Sequence, residues 1–317
     1  MIRHDPVLLS ESVEMLNIKE DGIYVDATYG GGGHSREILK RIKTGKLVAF
    51  DADPDVAAEV KQKDTNMIFI NQNFRHLKRY LRLYNLLPVD GILADLGVSS
   101  HHLDTPERGF TYRTDAPLDM RMDRSLKYTA ADLLNTYHEK ELVTLFSQYG
   151  EIKNARTLAR LIVAARAGCR IETSGQLREI IRPAIRGKES KYLSKLFQAL
   201  RIAVNDELGA LHELLHQSVE VLREKGRLAI ITYHSLEDRM VKNFMKTGNI
   251  QGEVYKDAYG NTQVPLRMLT RKPITPSRQE IAANKRARSA KLRVAEKIAA
   301  VQDTSAQIPA GIEKLEG

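Results

Sequence analysis

The chain has 317 residues, a single cysteine and a formal net charge of +9. That length allows one large domain or two ordinary ones, each with a buried core. One cysteine excludes an internal disulfide, so Cys169 is expected to be an incidental thiol in a reducing compartment. The N-terminal sequence lacks the apolar core of a signal peptide, and no uninterrupted apolar stretch reaches membrane-spanning length, so we expect a cytoplasmic protein without a membrane anchor.

The first informative segment is a β-like run that ends in a glycine loop. Residues 22–26 predict a strand, the loop contains four consecutive glycines from Gly30 to Gly33, and residues 35–43 predict a helix. A second predicted strand, 46–51, ends in Asp51, about 20 residues past the loop, where Rossmann-like folds place the acid that binds a ribose. The spacing predicts a nucleoside-bearing cofactor, and a plain glycine turn is the alternative.

Glycine placement and charge favour S-adenosylmethionine over a dinucleotide. A dinucleotide site requires G-x-G-x-x-G, but the third glycine position falls on Ser35 or Arg36. Asp26, expected at the mouth of the first strand, would repel a pyrophosphate and attract the sulfonium and ammonium groups of S-adenosylmethionine. A nicotinamide-dependent reductase remains the alternative enzyme.

Two more strands follow, over residues 67–70 and 90–95. Strands that alternate with helices predict a parallel sheet with helices on both faces, an α/β Rossmann-like fold. The carboxyl ends of parallel strands form the ligand crevice, so Asp95 should face the same space as the glycine loop. Asp95 is therefore the best catalytic candidate, and a structural cap of the following turn is the alternative.

The pattern changes between residues 105 and 205, where several helices and no strand are predicted. One helix begins after Thr129, with Asp132 at capping-box spacing, and the others cover residues 155–165, the segment after Ser174, and residues 193–200. The α/β pattern then resumes with a helix that ends near Gly226 and a strand over 227–232. We therefore predict a core (1–104 and 206–298) split by an all-helical insertion (105–205), with a flexible tail (299–317).

Positive charge is concentrated in two segments. Residues 150–205 carry 12 Lys and Arg against 4 Asp and Glu, and residues 270–299 carry 9 against 2, so the remainder is net acidic. Two basic segments predict a polyanionic partner, with nucleic acid as the leading candidate and a solvated basic face as the alternative. Residues 290–295 alternate in polarity, which predicts a half-buried strand that presents its basic side chains to solvent or RNA.

Two motifs suggest other chemistry. His212-Glu213-Leu214-Leu215-His216 matches H-E-x-x-H, with Glu237 as a conceivable third zinc ligand, but Gly226 and a strand intervene where a second helix is required. We therefore expect no metal. His234, Ser235 and Asp238 are the residue types of a hydrolase, yet adjacent strand residues point to opposite faces, so we expect no triad.

Six motifs occur in order along the chain: Tyr29–Ser35, Asp95–Ser100, Arg108–Phe110, Pro117–Asp123, His234–Arg239 and Arg288–Arg293. Together they closely resemble the ribosomal small subunit methyltransferase H family, also called MraW, from His4 to Lys297. The resemblance implies a class I S-adenosylmethionine-dependent methyltransferase core with an inserted helical domain. It also implies methylation of N4 of a decoding-centre cytidine in bacterial 16S rRNA within the small ribosomal subunit.

By the same resemblance, seven residues are expected to contact the cofactor. They are Gly32, Gly33, His34, Asp51, Phe74, Asp95 and His102. Phe74 follows the third strand, where an adenine requires an apolar wall.

The proposed chemistry suits Asp95 independently. A cytosine amine is a poor nucleophile because its lone pair is delocalised into the ring, so a proton acceptor such as Asp95 or the Leu96 carbonyl should help it attack. Related amino-methyltransferases carry an aromatic residue near this position that is absent here, which leaves Phe110, Tyr112 or Tyr233 to stack on a flipped base. The alternative from another class is a ribosome-assembly RNA-binding protein without catalysis.

Overall fold

The structure is a computed structural model that describes residues 6–60, 64–256 and 264–298. Within these ranges, seven strands form one sheet in the order β3-β2-β1-β4-β5-β7-β6. The first five strands are parallel, and β7 runs antiparallel to both of its neighbours. The strands are β1 Ile23–Asp26, β2 Lys46–Phe50, β3 Met67–Ile70, β4 Val89–Asp95, β5 Leu222–Thr232, β6 Leu266–Met268 and β7 Lys291–Lys297.

Helices cover both faces of the sheet and form the region between α5 and α11. They are α1 Leu9–Leu16, α2 Gly33–Leu39, α3 Pro54–Glu59, α4 Leu77–Leu83, α5 Ser100–Asp104, α6 Ala130–Thr136, α7 Glu139–Gln148, α8 Ala155–Arg166, α9 Ser174–Ile181, α10 Glu189–Asn205, α11 Glu207–Val221, α12 Ser235–Thr247 and α13 Arg278–Ala283. None of the helices in the described ranges is both long and apolar enough to cross a membrane. The predicted α/β Rossmann-like fold is confirmed.

Three clusters of buried side chains organise the molecule. One cluster, around Phe50 and Ile92, lies on one face of the sheet, and a second, around Tyr24 and Leu47, lies on the other. The third spans residues 110–200 and contains only side chains of the helical region. This separate core is what an insertion would require, while the exact boundaries at 105 and 205 remain predictions.

Local sequence accounts for most of these elements. The β4 residues Val89 to Ala94 are all buried, as expected for a strand of a parallel sheet covered on both faces. Helix α6 begins with the predicted capping box, in which Thr129 and Asp132 bond each other's backbone N–H groups. Helices α8, α9 and α10 contain the residues predicted for them.

The junction between α11 and β5 differs from the prediction. The helix ends at Val221, not near Gly226, and β5 already begins at Leu222. Leu222 pairs with Val89, and the register then shifts so that Arg227 pairs with Gly91. Leu222 is 1% exposed, and a buried leucine suits a helix as well as a strand, so hydrophobic periodicity could not place this boundary.

The prediction that β7 presents its basic side chains to solvent or RNA is wrong. Arg293 is 4% exposed, and its Nε donates to Asp238 on α12 at 2.7 Å. Lys291 donates to the same carboxylate at 3.0 Å, and the buried Lys297 donates to the Leu222 carbonyl at 2.6 Å. Helix α12 packs on this part of the sheet, and its Asp238 supplies the counter-charge for Arg293 and for the partly exposed Lys291. The buried Arg293 and Lys297 are therefore structural. The predicted tail, 299–317, lies outside the described residues.

Candidate active site at the carboxyl edge of the sheet

The glycine loop crosses the carboxyl ends of three neighbouring strands. The Ala27 amide donates to the Leu93 carbonyl of β4, and the Tyr29 amide donates to the Phe50 carbonyl of β2, both at 2.8 Å. Gly30 and Gly32 have φ values of 51° and 69°, a conformation that glycine adopts without strain. A Cβ on Gly30 would meet no atom within 4 Å, so the loop backbone borders open space.

Asp26 lies beneath this loop instead of at its mouth. Its side chain is almost completely buried, and it accepts hydrogen bonds from the Ser35 hydroxyl at 2.6 Å and the Thr28 amide at 3.1 Å. Burial raises the pKa of Asp26, against the effect of these hydrogen bonds. The expectation that Asp26 faces the cofactor's positive charges does not hold, because its carboxylate joins the loop to the first turn of α2.

Asp51, directly after β2, contacts the same loop. Its carboxylate accepts from the Gly30 amide at 2.7 Å and from the Asp53 amide at 2.9 Å. Burial raises the pKa of Asp51 to about 6, although both hydrogen bonds oppose the shift. A carboxylate has about four lone-pair positions, so two remain for the hydroxyl groups of a ribose.

Asp95 ends β4 on the other side of the loop. Its amide donates to the Thr28 hydroxyl, and its Oδ1 accepts from the Tyr233 hydroxyl, both at 2.7 Å. Burial raises the pKa of Asp95 to about 6, while His34 and Tyr233 lower it. Its side chain is still 22% exposed, so a ligand in the crevice can reach it.

His34, in the first turn of α2, faces Asp95. Its Nε2 lies 3.2 Å from the Val7 carbonyl, which only accepts, so we assign the proton to Nε2 and a lone pair to Nδ1. Burial lowers the pKa of His34, so the ring is neutral at neutral pH. Its Nδ1 is 4.0 Å from Asp95 Oδ2, beyond hydrogen-bond distance. Two acceptors that face each other in this way suit a ligand group with several donors and a positive charge.

Phe74 and His102, the two remaining predicted cofactor contacts, differ in their surroundings. Phe74 begins a turn after β3 and is only partly buried against the core. His102 is 5% exposed, with Nδ1 3.1 Å from the Ser99 hydroxyl and Nε2 2.8 Å from Asp53 Oδ2. His102 therefore links α5 to the loop that carries Asp51, and a direct cofactor contact by His102 stays a prediction.

Arg108 completes this link, although no specific role was predicted for it from the sequence. It is 3% exposed, and its guanidinium donates to Asp53 at 3.0 Å and to Asp55 at 2.7 Å. It also donates to the carbonyls of Arg121 and Met122, at 3.0 Å each. Burial alone would raise the pKa of Asp53, but His102 and Arg108 hold it at about 2. The loop behind Asp51 is thus fixed to the start of the helical region.

The three residues proposed to stack on a flipped base, Phe110, Tyr112 and Tyr233, each contact another side chain of the protein. Phe110 is 6% exposed and packs on His102 with 4.7 Å between ring centroids. Tyr112 packs edge-on against Phe197 at 5.3 Å. Tyr233 donates its hydroxyl to Asp95, so a positioning role suits it better than stacking.

The H-E-x-x-H segment has a packing explanation. The rings of His212 and His216 lie 4.6 Å apart and nearly perpendicular, and His216 packs on Phe244. Glu213 pairs with Arg75 at 3.1 Å. The segment is one turn of α11 with its polar groups paired on the surface.

Elsewhere in the described ranges, one group of three side chains comes close enough to hold a cation: Glu207, His234 and Glu237. Arg201 already donates to both oxygens of Glu207, at 2.7 and 2.9 Å. The guanidinium therefore supplies the positive charge that a metal would supply. The absence of a metal stays a prediction.

The hydrolase-like residues diverge. His234 caps α12 through Glu237, while Asp238 binds Arg293. The Ser235 hydroxyl bonds to Glu151 at 3.0 Å. These partners lie in different directions, so the three residues form no triad.

Comparison with known proteins places the chain in one family. A family model described as the MraW methylase family matches residues 1–298. A ribosomal RNA small subunit methyltransferase H from Bacteroides fragilis is 54% identical over 296 residues, which cover 93% of this chain and 97% of that protein. The protein of the same name from Cytophaga hutchinsonii is 55% identical over 296 residues, 93% of this chain and 99% of that protein. An rRNA methylase structure from Streptococcus thermophilus is 15% identical, covers 94% of this chain and 99% of its own, and has a TM-score of 0.41.

Proposed function

Because the chain belongs to the MraW methylase family, we propose that it methylates N4 of a cytidine in small-subunit ribosomal RNA, with S-adenosylmethionine as the methyl donor. The substrate within that RNA is the decoding-centre cytidine of 16S rRNA. One observation carries the proposal: the glycine loop, Asp51 and Asp95 converge at the ends of three adjacent parallel strands.

The residues at this edge fit the parts of the cofactor. In this proposal Gly32 and Gly33 contact the cofactor through their backbone, Asp51 binds the ribose, and Phe74 forms a wall for the adenine. A Cβ on Gly32 would clash with Tyr29, and one on Gly33 would clash with Pro6. His34 and Asp95 present acceptors to the positively charged end. When bound, S-adenosylmethionine supplies an electrophilic methyl group on a sulfonium. His102 supports the site through Asp53.

Asp95 performs the proton handling. Its pKa of about 6 leaves it mainly ionised at neutral pH, so it accepts a hydrogen bond from the target amine. This bond favours the pyramidal amine whose lone pair attacks in line. After transfer, the amine nitrogen loses one proton to Asp95 or to water, which restores the neutral cytosine.

The helical region, residues 105–205, is the RNA-binding part in this proposal. Its surface carries exposed cations on and near α9 and α10, namely Arg182, Arg186, Lys188 and Lys191. RNA affinity depends mainly on such contacts to phosphates. A substrate in ribosomal subunits also places the protein in the cytoplasm.

A non-catalytic assembly factor would not require the pair of carboxylates that the carboxyl edge of the sheet brings together. Two carboxylates with raised pKa values in one crevice destabilise a fold, and such groups are concentrated at functional sites.

Transfer of labelled methyl from S-adenosylmethionine tests the proposal. The acceptors are free 16S rRNA, small subunits and large subunits, all from cells that lack the enzyme. We expect label in small-subunit RNA only, and a strongly reduced amount with Asp95→Ala. The proposal would be contradicted if the protein bound the cofactor but transferred label to no RNA. It would also be contradicted if NAD protected the protein against heat better than S-adenosylmethionine does.

A further inference from the structure

Tyr233 lies between β5 and α12 and contacts the site in two ways. Its hydroxyl donates to Asp95 Oδ1 at 2.7 Å. Its ring lies over Gly97, where a Cβ would be 3.5 Å from Tyr233 Cδ2 and where φ is 95°. One side chain thus bonds to the carboxylate and lies in the space that a side chain at Gly97 would approach.

Tyr233 is itself held by the first turn of α12. Its amide donates to Glu237 Oε2 at 2.9 Å, and Glu237 is 2% exposed. The other Glu237 oxygen lies 3.1 Å from His234 Nε2, and His234 and Glu237 together form the capping box of α12. A shift of Tyr233 would therefore disrupt the cap of a 13-residue helix.

We propose that Tyr233 is a positioning residue for Asp95, held in place by His234 and Glu237. Its hydroxyl fixes the rotation of the carboxylate, so that the free lone pairs face the cofactor and the target amine. Its ring lies beside Gly97, the residue that follows Leu96. This inference rests on the proposed function, and it gives the His234–Arg239 motif a role at the site.

The charged surroundings of Asp95 determine what loss of this hydroxyl does. Asp26 on β1 and Glu237 on α12 disfavour the ionised Asp95 carboxylate, and His34 on α2 favours it only when its ring is protonated. Tyr233 is also near Glu280 of α13. A neutral donor stabilises the charged form, so its removal raises the pKa of Asp95.

Tyr233→Phe tests the proposal because it keeps the ring and removes the hydroxyl. Carbon-13 NMR of aspartate-labelled protein, with the Asp95 signal assigned through Asp95→Asn, follows the titration without RNA. Single-turnover methylation at saturating cofactor gives the pH profile. The control is Tyr24→Phe, which removes a tyrosine hydroxyl bonded to the Lys19 amide at the opposite end of β1.

We expect Tyr233→Phe to move the Asp95 titration and the acidic limb of the rate profile upward by about one pH unit. The rate deficit should be largest near pH 6, and a deficit of about threefold should remain above pH 8, where the Asp95 carboxylate is ionised but no longer held in one rotation. Tyr24→Phe should move neither. An unchanged Asp95 titration, or a rate equal to that of the parent above pH 8, would overturn the proposal. Absence of methyl transfer by the parent would refute the proposed function instead, while the NMR titration would still decide the Tyr233 contact.

Discussion

The carboxyl edge of the sheet and the helical insertion differ in both charge and exposure. The edge holds buried or half-buried acids, Asp26, Asp51 and Asp95, whose pKa values are raised by burial. The insertion holds an excess of cations, many of them exposed. Charge buried at a crevice suits a small cationic ligand, and exposed charge on helices suits a polyanion. This difference supports our proposal that the edge performs the chemistry and the helical region binds RNA.

Strand β7 shows that a basic sequence alone does not mark an RNA surface. Its cations belong to the second basic segment, yet Arg293 is bonded to Asp238 and buried. Exposed cations in that segment lie before the strand, at Arg271, Lys272 and Arg278. A count of charges along the sequence does not show which cations are buried. Burial is what distinguishes cations that stabilise the fold from cations that are available to bind RNA.

The largest effect is expected at the edge. Asp95→Ala should reduce single-turnover methylation about a hundredfold or more at saturating cofactor, because the acceptor for the amine proton is lost. Asp95→Asn keeps an acceptor oxygen and should be intermediate. RNA affinity, measured by filter binding, should not change in either variant. Full activity in Asp95→Ala would show that methyl transfer does not depend on this carboxylate and would contradict its proposed role.

The insertion should give the reverse result. Replacement of Arg182, Arg186, Lys188 and Lys191 by Gln should weaken RNA binding by about tenfold or more near 0.1 M salt and reduce the salt slope by up to about 3. Cofactor affinity should stay the same.

A matched control removes four exposed cations from the amino end of the sheet, Lys19, Lys40, Lys43 and Arg82. This control should leave the slope unchanged. Equal slopes for the two quadruple variants would show that the insertion charges only face solvent.

Asp51→Ala should weaken binding of S-adenosylmethionine by about 1.5 to 3 kcal/mol, the range for a hydrogen bond to a charged group. It removes the ribose acceptor and frees the Gly30 amide. Calorimetry measures the change. Equal affinity, or preferential NAD binding, would contradict the role of Asp51.

The smallest effect is expected on α11. His212→Gln combined with His216→Gln should leave methyl transfer within about threefold, because these rings pack against each other and Phe244 and we expect no metal there. Metal analysis of both proteins is the check. Stoichiometric zinc in the parent that disappears from the double variant would refute this assignment.

The sequence predicted six of the seven described strands and most helices, because their apolar patterns reflect local geometry. It did not predict β6 or the antiparallel direction of β7. It also predicted that Asp51 and Asp95 lie beside the glycine loop, since strand ends converge in any parallel sheet. It did not predict the Arg108 link to Asp53 or the Tyr233 contact to Asp95. Those partners are 55 and 138 residues apart in the chain, and only the packing of the insertion and of α12 brings them together.

The most direct test of the account is the identity of the methylated nucleoside. Small-subunit RNA treated with the protein and S-adenosylmethionine is digested, and the nucleosides are separated by chromatography with mass detection. The account predicts N4-methylcytidine, because Asp95 serves an exocyclic amine. Methylation at C5 normally uses a cysteine nucleophile, and the single cysteine, Cys169, lies exposed in the insertion. Recovery of 5-methylcytidine as the product would contradict the account.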